Sequence, residues 1–104
     1  MPMAAQILVL YATPADPAAF DKYYFDVHVP LARKIPNLRT MRLSSSAPIA
    51  LAGTAPHLVA ELVFDTMADL QAALVSPEGQ ATAADLANFA QHPTLLIYET
   101  RVDG

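Results

Sequence analysis

The sequence predicts an α+β domain in which helices cover one four-stranded antiparallel sheet. Three observations carry that prediction. Apolar, β-branched runs recur at residues 6–12, 58–64 and 94–101, each too short for a helix of ordinary length. Helix-start signals stand between them, at Asp16-Pro17, Asp65-Thr66 and Ser76-Pro77. A polar–apolar alternation at residues 38–46 supplies the remaining strand.

In chain order, residues 6–12 (QILVLYA) form a nearly continuous apolar run ended by Thr13-Pro14, as expected of a strand buried on both faces. Asp16 then serves as a helix cap with Pro17 at the first helical position, where a missing amide costs nothing. Phe20, Tyr24, Val27 and Leu31 follow at helical spacing, with His28 on the edge of that stripe. Pro30 disfavours helical geometry at Val29 and removes the amide that would bond the Asp26 carbonyl, so the helix is expected to bend or end at His28. After the strand at 38–46, residues 44–56 are rich in Ser, Ala, Pro and Gly and read as an exposed loop. Residues 58–64 (LVAELVF) form the next strand, with Glu61 as its only charge. Asp65-Thr66 followed by Asp69 resembles a capping box and opens a helix with Met67, Leu70 and Leu74 inward. Ser76-Pro77-Glu78 opens another that runs to about Ala90, stopped by His92-Pro93. The final strand is 94–101. The order β-α-β-β-α-(α)-β is that of a ferredoxin-like layer.

The 104 residues make one domain, 1–104, with no room for a second core. Hydrophobic residues are 54% and charged ones 15%, well under the ~25% of an average domain. That surplus predicts a second apolar face covered by another copy, hence a homodimer. No uninterrupted apolar run is long enough to span a membrane, and no basic residue precedes Lys22, so the chain is expected in the cytoplasm. A net charge of −4 argues against general nucleic-acid binding. With no cysteine there is no disulfide, thiolate nucleophile or thiolate metal ligand. No Gly-x-Gly-x-x-Gly, Walker or Gly-x-Ser-x-Gly pattern is present, and the histidines lack His-x-x-x-His spacing, so no cofactor and no metal is assigned.

The chemistry then rests on histidine, carboxylates, tyrosines and arginines. His28 heads the candidates, because an imidazole facing a pocket is a ready acid or base near neutral pH. The bland reading leaves it half-exposed on a helix edge. Glu61 is the second catalytic candidate: in an apolar strand a carboxylate must line a cavity or be paired. Its competing reading is an interface position, paired with an arginine such as Arg42. Among Arg33, Lys34, Arg39 and Arg42, only Arg42 lies within a strand and is kept as a substrate-binding candidate. Tyr24, one helical turn before His28, is the hydroxyl expected beside it.

These residues resemble the EthD family of the dimeric α/β-barrel superfamily. The match runs from Phe20 through Tyr23-Tyr24, His28-Val29-Pro30-Leu31 and Ile35-Pro36-Asn37-Leu38. It resumes at Ala60-Glu61-Leu62-Val63-Phe64-Asp65, Ser76-Pro77-Glu78-Gly79-Gln80 and Ala84-Asp85-Leu86-Ala87-Asn88-Phe89. The resemblance implies a ferredoxin-like monomer whose sheet packs on a second copy to make a dimeric α/β barrel. It also implies a small-molecule pocket between sheet and helices, with His28 near it.

The function that the resemblance implies is cofactor-independent acid–base chemistry of the isomerase, monooxygenase or cyclase type. Its substrate would be a small hydrophobic carbonyl, lactone or phenol, with His28 moving the proton. Glu61 or Arg42 would orient the substrate, and Tyr24 would donate a hydrogen bond. The alternative is a non-catalytic module holding a hydrophobic metabolite for a partner oxygenase such as a cytochrome P450 system. A third reading has a histidine ligating haem.

Overall fold

The structure, a computed structural model, describes residues 4–101; the expected domain, 1–104, runs past them at both ends. Strands β1 (Ala4–Tyr11), β2 (Thr40–Leu43), β3 (Leu58–Phe64) and β4 (Thr94–Thr100) form one sheet in the order β2-β3-β1-β4, each neighbouring pair antiparallel. The helices are α1 (Pro17–Tyr23), α2 (Val29–Ala32), α3 (Met67–Val75) and α4 (Pro77–Phe89), with a π-helical turn, Tyr24–His28, joining α1 to α2. This is the ferredoxin-like arrangement that the element order predicts.

Local chemistry sets the helix starts. The Asp16 carboxylate accepts from the Ala19 amide, Thr66 Oγ1 from the Asp69 amide, and Ser76 Oγ from the Gly79 amide. Each such cap contributes about 1 kcal/mol. Ser76 also ends α3, its hydroxyl donating to the Ala73 carbonyl at 2.6 Å. The α3–α4 corner is tight enough that a Cβ on Gly79 would lie 2.0 Å from the Ala73 oxygen.

Strand alternation divides the sheet into two faces. Ala5, Ile7, Val9 and Tyr11 of β1, with Leu58, Ala60, Leu62 and Phe64 of β3, are all buried beneath the helices. Phe20, Tyr24, Val29, Ala32, Leu70 and Ala73 cover them from above. The other face carries Gln6, Leu8 and Leu10 of β1, Val59, Glu61 and Val63 of β3, and Leu96 and Tyr98 of β4. No helix among the described residues covers it, and Leu96 remains half-exposed. On that face of the first strand Gln6 is buried, while Leu8 and Leu10 are only half-buried within a single chain. Leu74, expected inward, is 41% exposed, although it borders the cavity described below.

Candidate functional site

Pro30 shapes the segment that carries His28. Its missing amide leaves the Asp26 carbonyl without the usual partner, and the turn ahead of it opens to the wider π geometry. The Val29 amide there bonds the Tyr24 carbonyl, five residues back. Val29 nonetheless keeps helical angles (φ −60°, ψ −47°), and the chain continues as helix to Ala32. The expected loss of helical geometry at Val29 is thus corrected, while the expected irregularity takes the form of a π turn that ends at His28. Tyr24 and His28 both turn inward from it, their rings stacked at 5.5 Å and 27°.

His28 is 5% exposed, and its Nδ1 lies 2.9 Å from Asp85 Oδ2 on α4. Asp85 Oδ1 accepts from the Tyr23 hydroxyl at 2.6 Å and from Asn88 Nδ2 at 2.9 Å. Burial alone would push the Asp85 carboxyl up, but hydrogen bonds from Tyr23, Asn88 and His28 outweigh it and hold the group below the usual carboxylate range. An ionised carboxylate can only accept, so the Nδ1 proton is assigned to His28, and in the neutral ring Nε2 is left as the basic lone pair. Nε2 has no hydrogen-bond partner among the described residues, yet it is not a sealed, unsatisfied atom. Phe89 packs against the imidazole with ring centroids 4.7 Å apart.

The cavity that His28 borders lies between sheet and helices and holds about 70 Å³. Its walls are apolar apart from a few groups, with Ile7, Val9, Ala60, Leu62 and Leu86 prominent among them. Tyr11 and Tyr24, whose rings meet edge to face with centroids 5.3 Å apart, supply polar points. Burial pushes the Tyr24 phenol up to about 12 and Tyr11 higher still, so both stay protonated at neutral pH. The space suits the reactive end of a small ligand.

The sequence candidates divide between the two faces of the sheet. Tyr24 stands beside His28, as its spacing predicts. Glu61 and Arg42 are paired in register on the uncovered face, with Arg42 Nε 3.3 Å from Glu61 Oε2. The sheet separates them from His28, so within one chain neither touches a ligand held there. The reason is the period of two along a strand: Ala60 and Leu62 face the helices, which sends Glu61 the other way. This geometry is the competing reading of Glu61, pairing with Arg42. His57 forms a separate pair with Asp21 at 2.7 Å, packed edge-on against Phe20. No group of three or more His, Cys, Asp or Glu side chains among the described residues is placed to hold a metal ion.

Asp85 is the site residue that sequence reasoning passed over. A signal for it exists: Thr82, Asp85 and Phe89 share one stripe of α4, so a carboxylate sits on a face that otherwise packs inward. The argument applied to Glu61 in its strand applies equally to Asp85 in its helix.

Comparison with known proteins agrees with this architecture. Over 95 residues the chain is 39% identical to an uncharacterized 11.0 kDa protein of the thcB–thcC intergenic region of Rhodococcus erythropolis, covering 89% of this chain and 90% of that one. The crystal structure of an EthD family protein from Bacillus halodurans superposes with a TM-score of 0.86 at 35% identity, covering 94% of this chain and 99% of that one. A hydroxynitrile lyase from Passiflora edulis shares the fold at a TM-score of 0.76 and 12% identity, covering 100% and 99% of the two chains. Residues 12–93, which include His28 and Asp85, match the model of the EthD domain. The chain belongs to the EthD family.

Proposed function

We propose that this chain is a small acid–base catalyst in which His28 moves a proton to or from a hydrophobic carbonyl, lactone or phenol. The observation that carries this reading is the His28–Asp85 pair, with Nδ1 held by a buried carboxylate while the imidazole lines an apolar cavity. In the forward step Nε2 takes the proton of a C–H or O–H group, and that bond's electron pair stays on the substrate. The imidazolium so formed is stabilised by Asp85. A base placed this way supplies roughly two to four decades of rate. Tyr24 stacks on the imidazole and borders the cavity, and in this reading its hydroxyl meets the substrate oxygen.

The catalyst is proposed to work as a homodimer joined through the uncovered sheet face. Leu8, Leu96, Val59 and Val63 supply apolar contact there, and the Glu61–Arg42 pair lies at its rim. Glu61 and Arg42 then serve the interface rather than the proton step.

The test is a thermal-shift screen of small phenols, quinones, lactones and hydrophobic acids on wild type and His28→Gln. A ligand that stabilises only wild type supports the site and identifies the class to assay for turnover. Stabilisation of both proteins to the same degree removes His28 from the site. The reading as a metabolite carrier for a partner oxygenase is favoured by the loop before β3, where Ile49 and Leu51 are almost fully exposed. Under that reading ligand binds without conversion until the oxygenase is added.

A further inference from the structure

The Asp85 carboxylate is reached from two sides. Oδ2 faces His28 Nδ1, while Oδ1 takes the Tyr23 and Asn88 donors. Tyr23 and Asn88 belong to the wall of a different cavity, a cleft of about 390 Å³ beyond the end of β1 that is also lined by Phe20 and Phe89. Neither of the two lines the cavity at His28, and His28 does not line theirs. We infer that Tyr23 is a positioning residue for His28, acting from the outer cleft by orienting Asp85, which in turn orients the imidazole. The inference rests on the reading of His28 as the proton-transfer group.

Three features support it. The terminal torsion of an aspartate is broad, so a single bond to His28 would leave the carboxylate plane free to turn. Two donors converging on Oδ1 remove that freedom and leave Oδ2 aimed at Nδ1. Second, the Tyr23 ring is itself fixed, its centroid 5.4 Å from that of Phe89, and the same Phe89 packs on His28. One phenyl ring therefore spaces the donor and the imidazole. Third, the hydrogen bond to Asp85 raises the Tyr23 phenol above its ordinary value, so it remains a donor across neutral pH. Around His28 the titratable neighbours are Asp85 from α4, Tyr24 from the π turn and Tyr11 from β1. Of these only Asp85 is hydrogen-bonded to the ring, so a residue that sets Asp85 sets His28.

The test compares wild type with Tyr23→Phe, which removes one oxygen and keeps the ring on Phe89. NMR follows the Asp85 carboxyl carbon across pH together with the His28 ring-nitrogen signals. In Tyr23→Phe the Asp85 carboxyl is expected to titrate higher than in wild type, because one of the hydrogen bonds that hold it low is gone. The His28 Nδ1 proton resonance is expected to move with it. Asn88→Ala, at an exposed position, removes the other donor to the same oxygen and is expected to shift both signals less, in the same direction. It keeps the test decisive should Tyr23→Phe fail to fold. Asp85 titrations and His28 signals that superimpose on wild type in the variants overturn the inference. A wild-type His28 that carries its proton on Nε2 alone overturns instead the reading on which the inference rests, so the two failures are distinguishable.

Discussion

Asp85 Oδ2 stands 2.9 Å from His28 Nδ1 although 57 positions separate the two residues in the chain. Both side chains are nearly closed off from solvent, at 6% and 9% exposure. A buried pair of this kind is costly to break from one side, because the partner left behind keeps its desolvation cost without its bond. Asp85→Asn keeps the shape and discards the charge. It is expected to lower stability by about 1–3 kcal/mol and to abolish ligand stabilisation in the thermal-shift screen. Chemical denaturation measures the first effect. Full ligand response in Asp85→Asn would show that the carboxylate plays no part in binding.

The same pair sets a pH dependence with a definite sign. The Asp85 carboxyl is held below its ordinary value in the folded chain, so its contribution to stability is complete above the unfolded carboxylate pKa of about 4 and is lost as pH falls through the lower folded value. The melting-temperature gap between wild type and Asp85→Asn is therefore expected to be constant from about pH 5 to 6 and to narrow below about pH 4. A gap that widens in acid would contradict the sign.

Pro30 is expected to matter through geometry. Pro30→Ala restores an amide that can bond the Asp26 carbonyl and lets the π turn relax toward α-helix, which rotates His28 away from Asp85. Stability should change little, since relief of the proline's cost, at most about 3 kcal/mol, is offset by the lost His28–Asp85 bond, while the His28 Nδ1 proton signal weakens. An unchanged signal would mean that packing on Phe89, not the π turn, aims the ring.

Gly79 tests the α3–α4 corner. Gly79→Ala sets a methyl 2.0 Å from a backbone oxygen that cannot swing aside. The expected loss is about 1–3 kcal/mol, read by urea denaturation. A loss near zero would show that the corner opens freely.

The uncovered sheet face is probed by Leu96→Glu on the edge strand β4. Leu96 is half-exposed in the single chain, so the fold should tolerate the charge while a sheet-to-sheet dimer should not. Light scattering is expected to show dimers for wild type and monomers for the variant. Dimers in both would move the interface elsewhere.

Much of the scaffold can be read from short stretches of chain, because its causes act over a few residues. Asp16, Thr66 and Ser76 each cap a helix beginning at the next residue, as their own neighbours require. Residues 58–64 form a strand with those bounds because alternation and β-branching are local properties. The strand read at 38–46 shrinks to Thr40–Leu43, with the last backbone bonds to β3 made by the Arg39 and Ser44 amides that flank it. Tyr24 falls beside His28 because both lie on one helical segment, one turn apart.

What the sequence determined alone, then, was the order of elements, the helix caps, the family resemblance and the pairing of Tyr24 with His28. Each follows from spacing along a single segment or from a motif as written. Tertiary structure decided the remainder. It sent Glu61 and Arg42 to the far face of the sheet, because strand register is settled by which side chains the helices cover. It kept Val29 helical in front of a proline. It also brought Asp85 on α4 to His28 on the π turn, a contact that no local pattern encodes, since it exists only once both helices have packed on the same sheet.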